Sequence, residues 1–309
     1  MTILYAGDSE DAEAWIGSIR ALDPTLDIRT WPDWGDAGAI DFVIVGGRMP
    51  GDLSIFENVK AIQSTWAGVN HLLSSGKFPP GVPIARMVER NLSASMVEYL
   101  VYWTLDALRQ GRALRQAQRE AKWLDLPMRW ARDFPVGILG LGALGTATAE
   151  KLVALGFPVR GWSRTRKAVP GVETFDGAER LRDFLSPLKL VMCLLPLTPE
   201  TEGILDARLF AGLPDGAILV NAGRGGHLNE ADLIAALDSG KLAHAVLDVF
   251  RAEPLPADHA FWRRRDIVIT PHVASITRAG TGAAEIVQNY RRAMRGEPLL
   301  NPVDPARGY

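Results

Sequence analysis

Cysteine is the scarcest residue in this chain of 309 residues: Cys193 stands alone. A single thiol excludes an internal disulfide and any metal site built from several cysteines, which is typical of proteins of the reducing cytoplasm. Cys193 lies inside the apolar run 190–195, so we interpret it as a small core residue rather than a nucleophile. We therefore expect a cytoplasmic protein without a metal site.

Excess charge and long apolar runs are also lacking. The formal net charge is −2, whereas a partner such as nucleic acid or an anionic membrane requires a concentrated positive surface. The arginines at 263–265 are too few to supply one. No signal pattern or apolar run of membrane-spanning length is present, and 47% hydrophobic residues can form a large core. The length suits two domains rather than one.

A glycine motif, G-L-G-A-L-G at 140–145, follows a short apolar run and precedes a helical pattern. Strand, tight turn and helix start in this order are typical of dinucleotide binding. Gly140 permits the turn, Gly142 lets the backbone approach the pyrophosphate, and Gly145 lets the helix pack close to the strand. An ordinary strand-to-helix turn is the alternative, but a second apolar strand at 159–162 completes the expected βαβ unit.

The residues after that second strand indicate which dinucleotide binds. A site for NAD places an acidic residue on the ribose roughly twenty residues beyond the glycines, whereas arginine accommodates a 2′-phosphate. This chain has Ser163, Arg164, Thr165 and Arg166 at that place. The pattern favours NADP(H), with NAD(H) as the alternative; solvated surface is the alternative interpretation of Arg166.

Alternating strands and helices predict an α/β fold with two Rossmann-like, doubly wound parallel-sheet domains, one of them flavodoxin-like. In the first part we predict a helix at 11–22 and strands at 3–5, 42–45, 59–63 and 82–85; a long helix at 93–117 follows. Two loops at strand ends, 46–50 and 66–70, are candidates for substrate contact, with ordinary connections as the alternative.

Four polar residues follow successive predicted strands in the second half: Arg224, Asp248, Glu253 and His272. The carboxyl ends of parallel strands form the ligand-binding edge of such a sheet, so these side chains predict a reaction site there. The other histidines do not belong to such a group of polar residues at strand ends. We interpret His71, His227, His244 and His259 as structural, and note that His227 is close to Arg224 in the sequence.

Several motifs together resemble the D-isomer-specific 2-hydroxyacid dehydrogenases over nearly the whole chain. They are G-L-G-A-L-G, N-A-G-R-G-G at 221–226, L-D-V-F-R-A-E-P-L-P at 247–256 and P-H-V-A-S at 271–275. G-W-S-R-T-R-K, M-V-E-Y and the final A-R-G-Y resemble the glyoxylate and hydroxypyruvate reductase A branch. The resemblance implies a substrate-binding domain of residues 1–98 and 274–309, a dinucleotide-binding domain of residues 99–273, and a homodimer.

The same resemblance implies the roles of the site residues. Arg224 would hold the substrate carboxylate, His272 would donate a proton, Glu253 would pair with His272, and Asp248 would contact the nicotinamide side. Reduction of a keto group needs both a cation on the acid and a general acid near neutrality, which arginine and a carboxylate-paired histidine provide. The implied cofactor contacts are Gly140, Gly142, Ala143, Leu144, Gly145, Ser163, Arg164, Thr165, Leu195, Pro196, Thr201, Ala222, Gly223 and Asp248. The implied substrate contacts are Arg48, Trp66, Ala67, Gly68, Arg224 and His272.

The substrate loops depart from the family pattern. Trp66 replaces a small residue, Asn70 replaces the usual aspartate, and Gly46-Gly47-Arg48 replaces a tryptophan-bearing segment. The main hypothesis is NADPH-dependent reduction of glyoxylate, hydroxypyruvate or a related small 2-keto acid. A reductase of a bulkier 2-keto acid and a dinucleotide-sensing, corepressor-like binding protein are the alternatives; the intact Arg224, Glu253 and His272 favour an enzyme.

Overall fold

The computed structural model describes residues 1–7, 9–47, 49–88 and 90–304. The chain forms two compact units, Met1–Leu92 with Ile276–Tyr309, and Ser93–Ser275. The chain therefore crosses between units at 92/93 and 275/276, whereas the predicted boundaries are 98/99 and 273/274. The first crossing lies earlier because Met96 already packs in the core of the second unit, beside Leu100.

The first unit contains a five-stranded parallel sheet in the order β2-β1-β3-β4-β5. Its elements, numbered along the chain, are β1 (Thr2–Gly7), α1 (Ser9–Leu22), β2 (Asp27–Thr30), β3 (Ile40–Gly46), β4 (Ala61–Ser64), α2 (Asn70–Ser75) and β5 (Ile84–Ala85). The predicted strands and the first helix are confirmed. The edge strand β2 was not predicted.

The second unit contains a seven-stranded parallel sheet in the order β12-β11-β10-β9-β6-β7-β8. Its elements are α3 (Arg90–Leu108), α4 (Gly111–Arg119), β6 (Val136–Leu139), α5 (Ala143–Ala154), β7 (Val159–Ser163), β8 (Val172–Asp176), α6 (Leu181–Leu185), β9 (Leu190–Cys193), α7 (Ala207–Gly212), β10 (Ala217–Asn221), α8 (Glu230–Asp238), β11 (Leu242–Leu247) and β12 (Ile267–Ile269). Two parallel α/β sheets confirm the predicted fold class.

The central strands of the second sheet are buried on both faces, as parallel strands covered by helices must be. Leu139 and Val191 pack into the core on one face, and Ile138 and Met192 into the core on the other. Cys193 is fully buried in the first of these cores, and burial raises the pKa of its thiol to about 12. This environment agrees with the interpretation of Cys193 as a core residue.

The first unit is completed by the last helix of the chain, α9 (Ala279–Met294), which packs against α1. Ile286 and Tyr290 of α9 enter the same core as Phe42 of β3. Gly282 permits this close approach, because a Cβ there would lie 2.7 Å from the Trp15 ring of α1. The two ends of the chain therefore build one sheet-and-helix layer.

The predicted single helix at 93–117 is wrong in one respect: the structure has α3 and α4 with a break between them. Gln110 adopts a φ of 57°, in the left-handed region, and this conformation interrupts the helical hydrogen bonds. Among the helices that the described residues form, none combines the length and apolar character needed to cross a membrane.

Candidate active site

The glycine turn between β6 and α5 is shaped so that only glycine fits at two positions. Gly140 has a φ of 105°, and a Cβ there would lie 2.8 Å from the Leu194 carbonyl oxygen. A Cβ at Gly145 would lie 1.9 Å from the Gly140 oxygen, so the close contact of α5 with the turn requires a hydrogen at that place. These are the roles that the motif predicts for both residues.

Gly142 is the N-cap of α5, and the first turn of the helix begins with Ala143 and Leu144. A Cβ built on Gly142 would meet nothing within 4 Å, so its absence leaves open space beside the amides of the helix start. Backbone N–H groups and the positive end of the helix dipole suit an anion such as a pyrophosphate. The turn therefore fits a dinucleotide.

The strand β7 ends at Ser163, whose hydroxyl is buried and donates to the Thr165 carbonyl oxygen at 2.8 Å. This bond closes a small turn on which Arg164, Thr165 and Arg166 are exposed. The turn holds two guanidinium groups where an incoming ribose is expected.

The loop after β9 is organised around one carbonyl group. The Pro196 oxygen accepts hydrogen bonds from the Thr201 hydroxyl at 2.7 Å and from the His227 Nε2 at 3.2 Å. Leu195 is buried beneath the loop. The Thr201 hydroxyl therefore stabilises the loop. The cofactor contact that the resemblance implies for Thr201 stays a prediction.

Arg224 follows β10 in a turn built by Asn221. The Asn221 side chain accepts from the Gly223 amide and donates to the Arg224 carbonyl oxygen, each at 3.2 Å. Gly223 and Ala222 are buried in this turn, and the Gly223 oxygen accepts from the Arg224 Nη1 at 2.6 Å. Burial lowers the pKa of the Arg224 guanidinium, and the negative charge of Glu253 opposes that change. Arginine remains charged in proteins, so a partly desolvated cation is available here.

His227 links the Arg224 turn to the Pro196 loop, a role that its position in the sequence did not predict. Its Nδ1 accepts the Arg224 amide at 3.1 Å, and its Nε2 therefore carries the proton that Pro196 accepts. Burial lowers the pKa of this imidazole, so the ring stays neutral near pH 7. Its spacing, three residues after Arg224, is the one signal that could have identified it.

Glu253 and His272 form the pair that the family resemblance implies. The Glu253 Oε2 lies 2.8 Å from the His272 Nδ1, and its Oε1 accepts the Phe250 amide at 2.8 Å. Burial raises the pKa of the Glu253 carboxyl, but the hydrogen bonds from His272 and Phe250, with the positive charges of His272 and Arg224, bring it below its usual value. An ionised carboxylate therefore orients the imidazole.

Asp248, at the end of β11, is buried and makes its contacts within the His272 turn. Its carboxylate accepts from the Thr270 hydroxyl and from the amides of Val273 and Ala274. The predicted contact with the nicotinamide side stays a prediction, and what the structure adds is this second role in shaping the turn.

The substrate loops of the first unit are held through their backbones. The Trp66 amide donates to the Ser64 hydroxyl at 3.0 Å, and the Trp66 carbonyl oxygen accepts from the Met87 amide at 3.0 Å. The Trp66 indole is exposed on 39% of its surface and lies 3.5 Å from where a Cβ on Gly47 would stand. Ala67 and Gly68 follow it, and Arg48 lies outside the described residues.

The structure brings Arg224, Asp248, Glu253 and His272 to one edge, because β10, β11 and β12 are neighbours in the second sheet and all are parallel. Thr270 and Tyr99 join this group, although the sequence analysis did not single them out as site residues. In the part of the chain that the structure describes, no group of three or more His, Cys, Asp or Glu side chains could hold a metal ion.

Comparison with known proteins agrees with this geometry. Residues 101–274 match the model of the D-isomer specific 2-hydroxyacid dehydrogenase NAD binding domain. A D-isomer specific 2-hydroxyacid dehydrogenase from Xanthobacter autotrophicus Py2, solved with NADPH and MES, is 40% identical with a TM-score of 0.95, and the match covers 100% of this chain and 99% of that chain. An NADPH-dependent glyoxylate/hydroxypyruvate reductase from Sinorhizobium meliloti, solved with NADP and sulfate, is 35% identical with a TM-score of 0.92 over 100% of this chain and 99% of that one. The chain belongs to the D-isomer specific 2-hydroxyacid dehydrogenase family.

Proposed function

We propose that this protein reduces small 2-keto acids, with glyoxylate and hydroxypyruvate as the first candidates, to 2-hydroxy acids with NADPH. The Glu253–His272 pair carries the proposal, because a 2.8 Å bond to an ionised carboxylate orients an imidazole at the sheet edge that also holds Arg224. Bound NADPH supplies the hydride for this chemistry. The residues of the chain must then bind the acid and deliver the proton.

Arg224 is the binding group for the substrate carboxylate. A guanidinium offers a planar set of donors that matches a carboxylate, and partial burial strengthens that interaction. The Asn221 and His227 bonds hold its backbone, so the side chain starts from a defined position. The same positive charge favours the oxyanion that develops at the keto oxygen.

His272 is the general acid. Its Nδ1 is engaged by Glu253, so Nε2 is the nitrogen that delivers a proton to the developing alkoxide. The side chain is 39% exposed, which leaves the ring accessible to a substrate. This arrangement favours an enzyme over a binding protein that only senses the dinucleotide.

NADPH is the proposed cofactor because the turn after β7 presents Arg164 and Arg166 where the ribose is expected. The relatives solved with NADPH and NADP support the same assignment. Trp66, Ala67, Gly68 and Arg48 are the proposed substrate contacts of the first unit.

We also propose that the protein is a cytoplasmic homodimer. A stretch of the second unit from α4 to residue 130 exposes large apolar side chains, with Trp123 fully exposed and Met128 and Trp130 each more than half exposed. Such a concentration of exposed apolar surface is typical of a protein interface. Gel filtration with light scattering tests the proposed dimer, and a monomer at micromolar concentration would contradict it.

Oxidation of NADPH and of NADH, followed at 340 nm with a series of 2-keto acids of increasing size, tests the proposed reaction. We expect the highest kcat/KM with NADPH and glyoxylate or hydroxypyruvate. A preference for aromatic or branched acids would identify a reductase of bulkier substrates. Tight NADPH binding without turnover of any acid would identify a binding protein.

The substitution Arg164→Asp tests the cofactor assignment. We expect the affinity for NADPH to fall about 10–100-fold, because a charge-assisted contact is replaced by a repelling carboxylate, while the affinity for NADH changes less than about threefold. Fluorescence titration measures both. Arg208→Asp, an exposed arginine on α7, is the control with the same change in charge. Equal losses for both cofactors would contradict the proposal.

A further inference from the structure

The turn that carries His272 has an unfavourable backbone conformation. His272 has a φ of 55°, in the left-handed region that favours glycine. Its amide contacts two carbonyl oxygens, that of Asp248 at 2.9 Å and that of Thr270 at 3.0 Å. Such conformations persist where the surrounding structure holds them, so the bonds around this turn determine where the imidazole lies.

The Asp248 carboxylate supplies most of these bonds. Its Oδ1 accepts the Val273 amide at 2.9 Å, and its Oδ2 accepts the Ala274 amide at 3.0 Å. Asp248 is 1% exposed, and in such a dry environment hydrogen bonds to a carboxylate are strong. One buried side chain therefore holds the two residues that follow His272.

A chain of hydroxyl groups leads from this carboxylate to α3. The Thr270 hydroxyl donates to the Asp248 Oδ1 at 2.6 Å, because a carboxylate can only accept. The Thr270 proton is then committed, so the Tyr99 hydroxyl, 2.7 Å from the Thr270 Oγ1, must be the donor of the second bond. Burial raises the pKa of the Tyr99 phenol, with the Asp248 charge adding to the effect, so the donor proton stays in place.

The same helix holds the turn at a second point. The Ser95 hydroxyl donates to the Ala274 carbonyl oxygen at 3.2 Å, and Ser95 and Tyr99 are one helical turn apart. Packing alone does not require the phenol hydroxyl, because a phenylalanine would keep the edge contact with the Trp103 ring, whose centroid is 6.1 Å away. The hydroxyl is therefore the part of Tyr99 that acts on the turn.

We propose that Tyr99 is a positioning residue for the proton donor, acting from α3 through Thr270 and Asp248 on the turn that carries His272. This inference rests on the proposed function for the role of His272 in turnover. The Tyr99 hydroxyl does not touch His272, and it acts by limiting the movement of the ring relative to Glu253. A looser turn lengthens the Glu253–His272 bond and lowers the fraction of time in which Nε2 can reach the substrate.

The substitution Tyr99→Phe tests the proposal. We expect kcat to fall about 3–10-fold, as for the loss of one hydrogen bond, while KM for the keto acid and the affinity for NADPH stay within about twofold. Tyr102→Phe is the matched control, since Tyr102 lies on the same helix and also contacts Trp103 but is 56% exposed. Thr270→Val should lower kcat at least as much as Tyr99→Phe, whereas Thr270→Ser, which keeps the hydroxyl, should retain most of the kcat. The double variant Y99F/T270V should have the same kcat as T270V, because Tyr99 acts through Thr270.

A second measurement does not depend on turnover. The ¹⁵N chemical shift of the His272 Nδ1, assigned by its loss in His272→Gln, reports the hydrogen bond to Glu253. We expect it to move in Tyr99→Phe and to stay in Tyr102→Phe. If no keto acid is reduced but the resonance moves, the proposed function fails and the positioning role stands. The positioning role is wrong if the acid is reduced and Tyr99→Phe matches Tyr102→Phe in both kcat and Nδ1 shift. It is also wrong if the effects of Tyr99→Phe and Thr270→Val on kcat are additive.

Discussion

The two ends of strand β11 have similar side chains and different properties. Beyond its carboxyl end, the Glu253 carboxylate bonds to the His272 imidazole, and the Asp248 carboxylate accepts from the amides of Val273 and Ala274. Near its amino end, His244 lies among charged groups of both signs, contributed by Asp106, Arg112, Arg115 and Asp266. The structure thus places a histidine with carboxylates and arginine at each end.

Exposure separates the two histidines. The His272 side chain is 39% exposed and bonded to a carboxylate, whereas His244 is 8% exposed, and burial, with the nearby Arg112 charge, lowers the pKa of its imidazole to about 4. A buried neutral ring serves packing, and an accessible paired ring can exchange protons. Under the proposed function, accessibility at the carboxyl edge, rather than the presence of charged neighbours, distinguishes the reacting histidine from the core histidine.

The largest effect is expected from His272→Gln at the carboxyl end. Loss of the general acid should lower kcat by about 10²–10⁴-fold, with NADPH binding and the free energy of unfolding little changed. Steady-state kinetics and fluorescence titration measure this. A kcat within threefold of that of the unsubstituted protein would show that His272 is not the general acid and that the two ends of β11 do not differ in this respect.

A smaller effect, on stability, is expected from His244→Gln near the amino end. Because the folded-state pKa of His244 lies below its ordinary value of 6.5, the unfolded chain binds a proton that the folded chain does not bind, so stability falls as the pH drops from about 6.5 toward 4. Between pH 7 and pH 5, this proton uptake lowers the free energy of unfolding by roughly 2 kcal/mol.

Urea unfolding at the two pH values measures that difference. The variant should lose about 2 kcal/mol less than the unsubstituted protein on going to pH 5, and its kcat at pH 7 should be unchanged within about twofold. An identical pH dependence in both proteins would mean that His244 is not held neutral in the folded state.

The smallest effect is expected from Asp106→Asn, also near the amino end. Asp106 pairs with Arg115 through two bonds, at 2.6 and 2.9 Å, but the Arg115 side chain is 45% exposed. The substitution should lower the free energy of unfolding by about 0.5–1 kcal/mol without affecting kcat. A tenfold loss of turnover would show that charges at this end also act on the reaction.

The sequence predicted most of the fold because the central parallel strands are apolar runs that end in glycine, proline or polar residues. It missed the edge strands β2 and β8, whose alternating polar residues resemble loops. It also missed the break at Gln110, since a non-glycine residue in the left-handed region has no composition signal. The carboxyl-edge residues were predictable because strand order and residue type coincide there.

The remaining site contacts depend on distances that only the folded chain defines. Tyr99 reaches Thr270 across 171 positions, and nothing local to either residue indicates the bond. Nothing local to His244 indicates its charged neighbours either, because Asp106 and Arg112 come close to it only in the fold. His227 and Asn221 act through backbone groups, which a search for reactive side chains does not find.

The helix α9 has a consequence for synthesis of the chain. It covers α1 and the face of the first sheet that Ile3 and Phe42 present, yet it is made after the whole of residues 93–275. At elongation rates of about 5–20 residues per second, synthesis of the second unit takes on the order of ten seconds or more, and the apolar face stays uncovered for that time. The N-terminal layer is thus the part of the nascent chain with most need of chaperone protection on the ribosome.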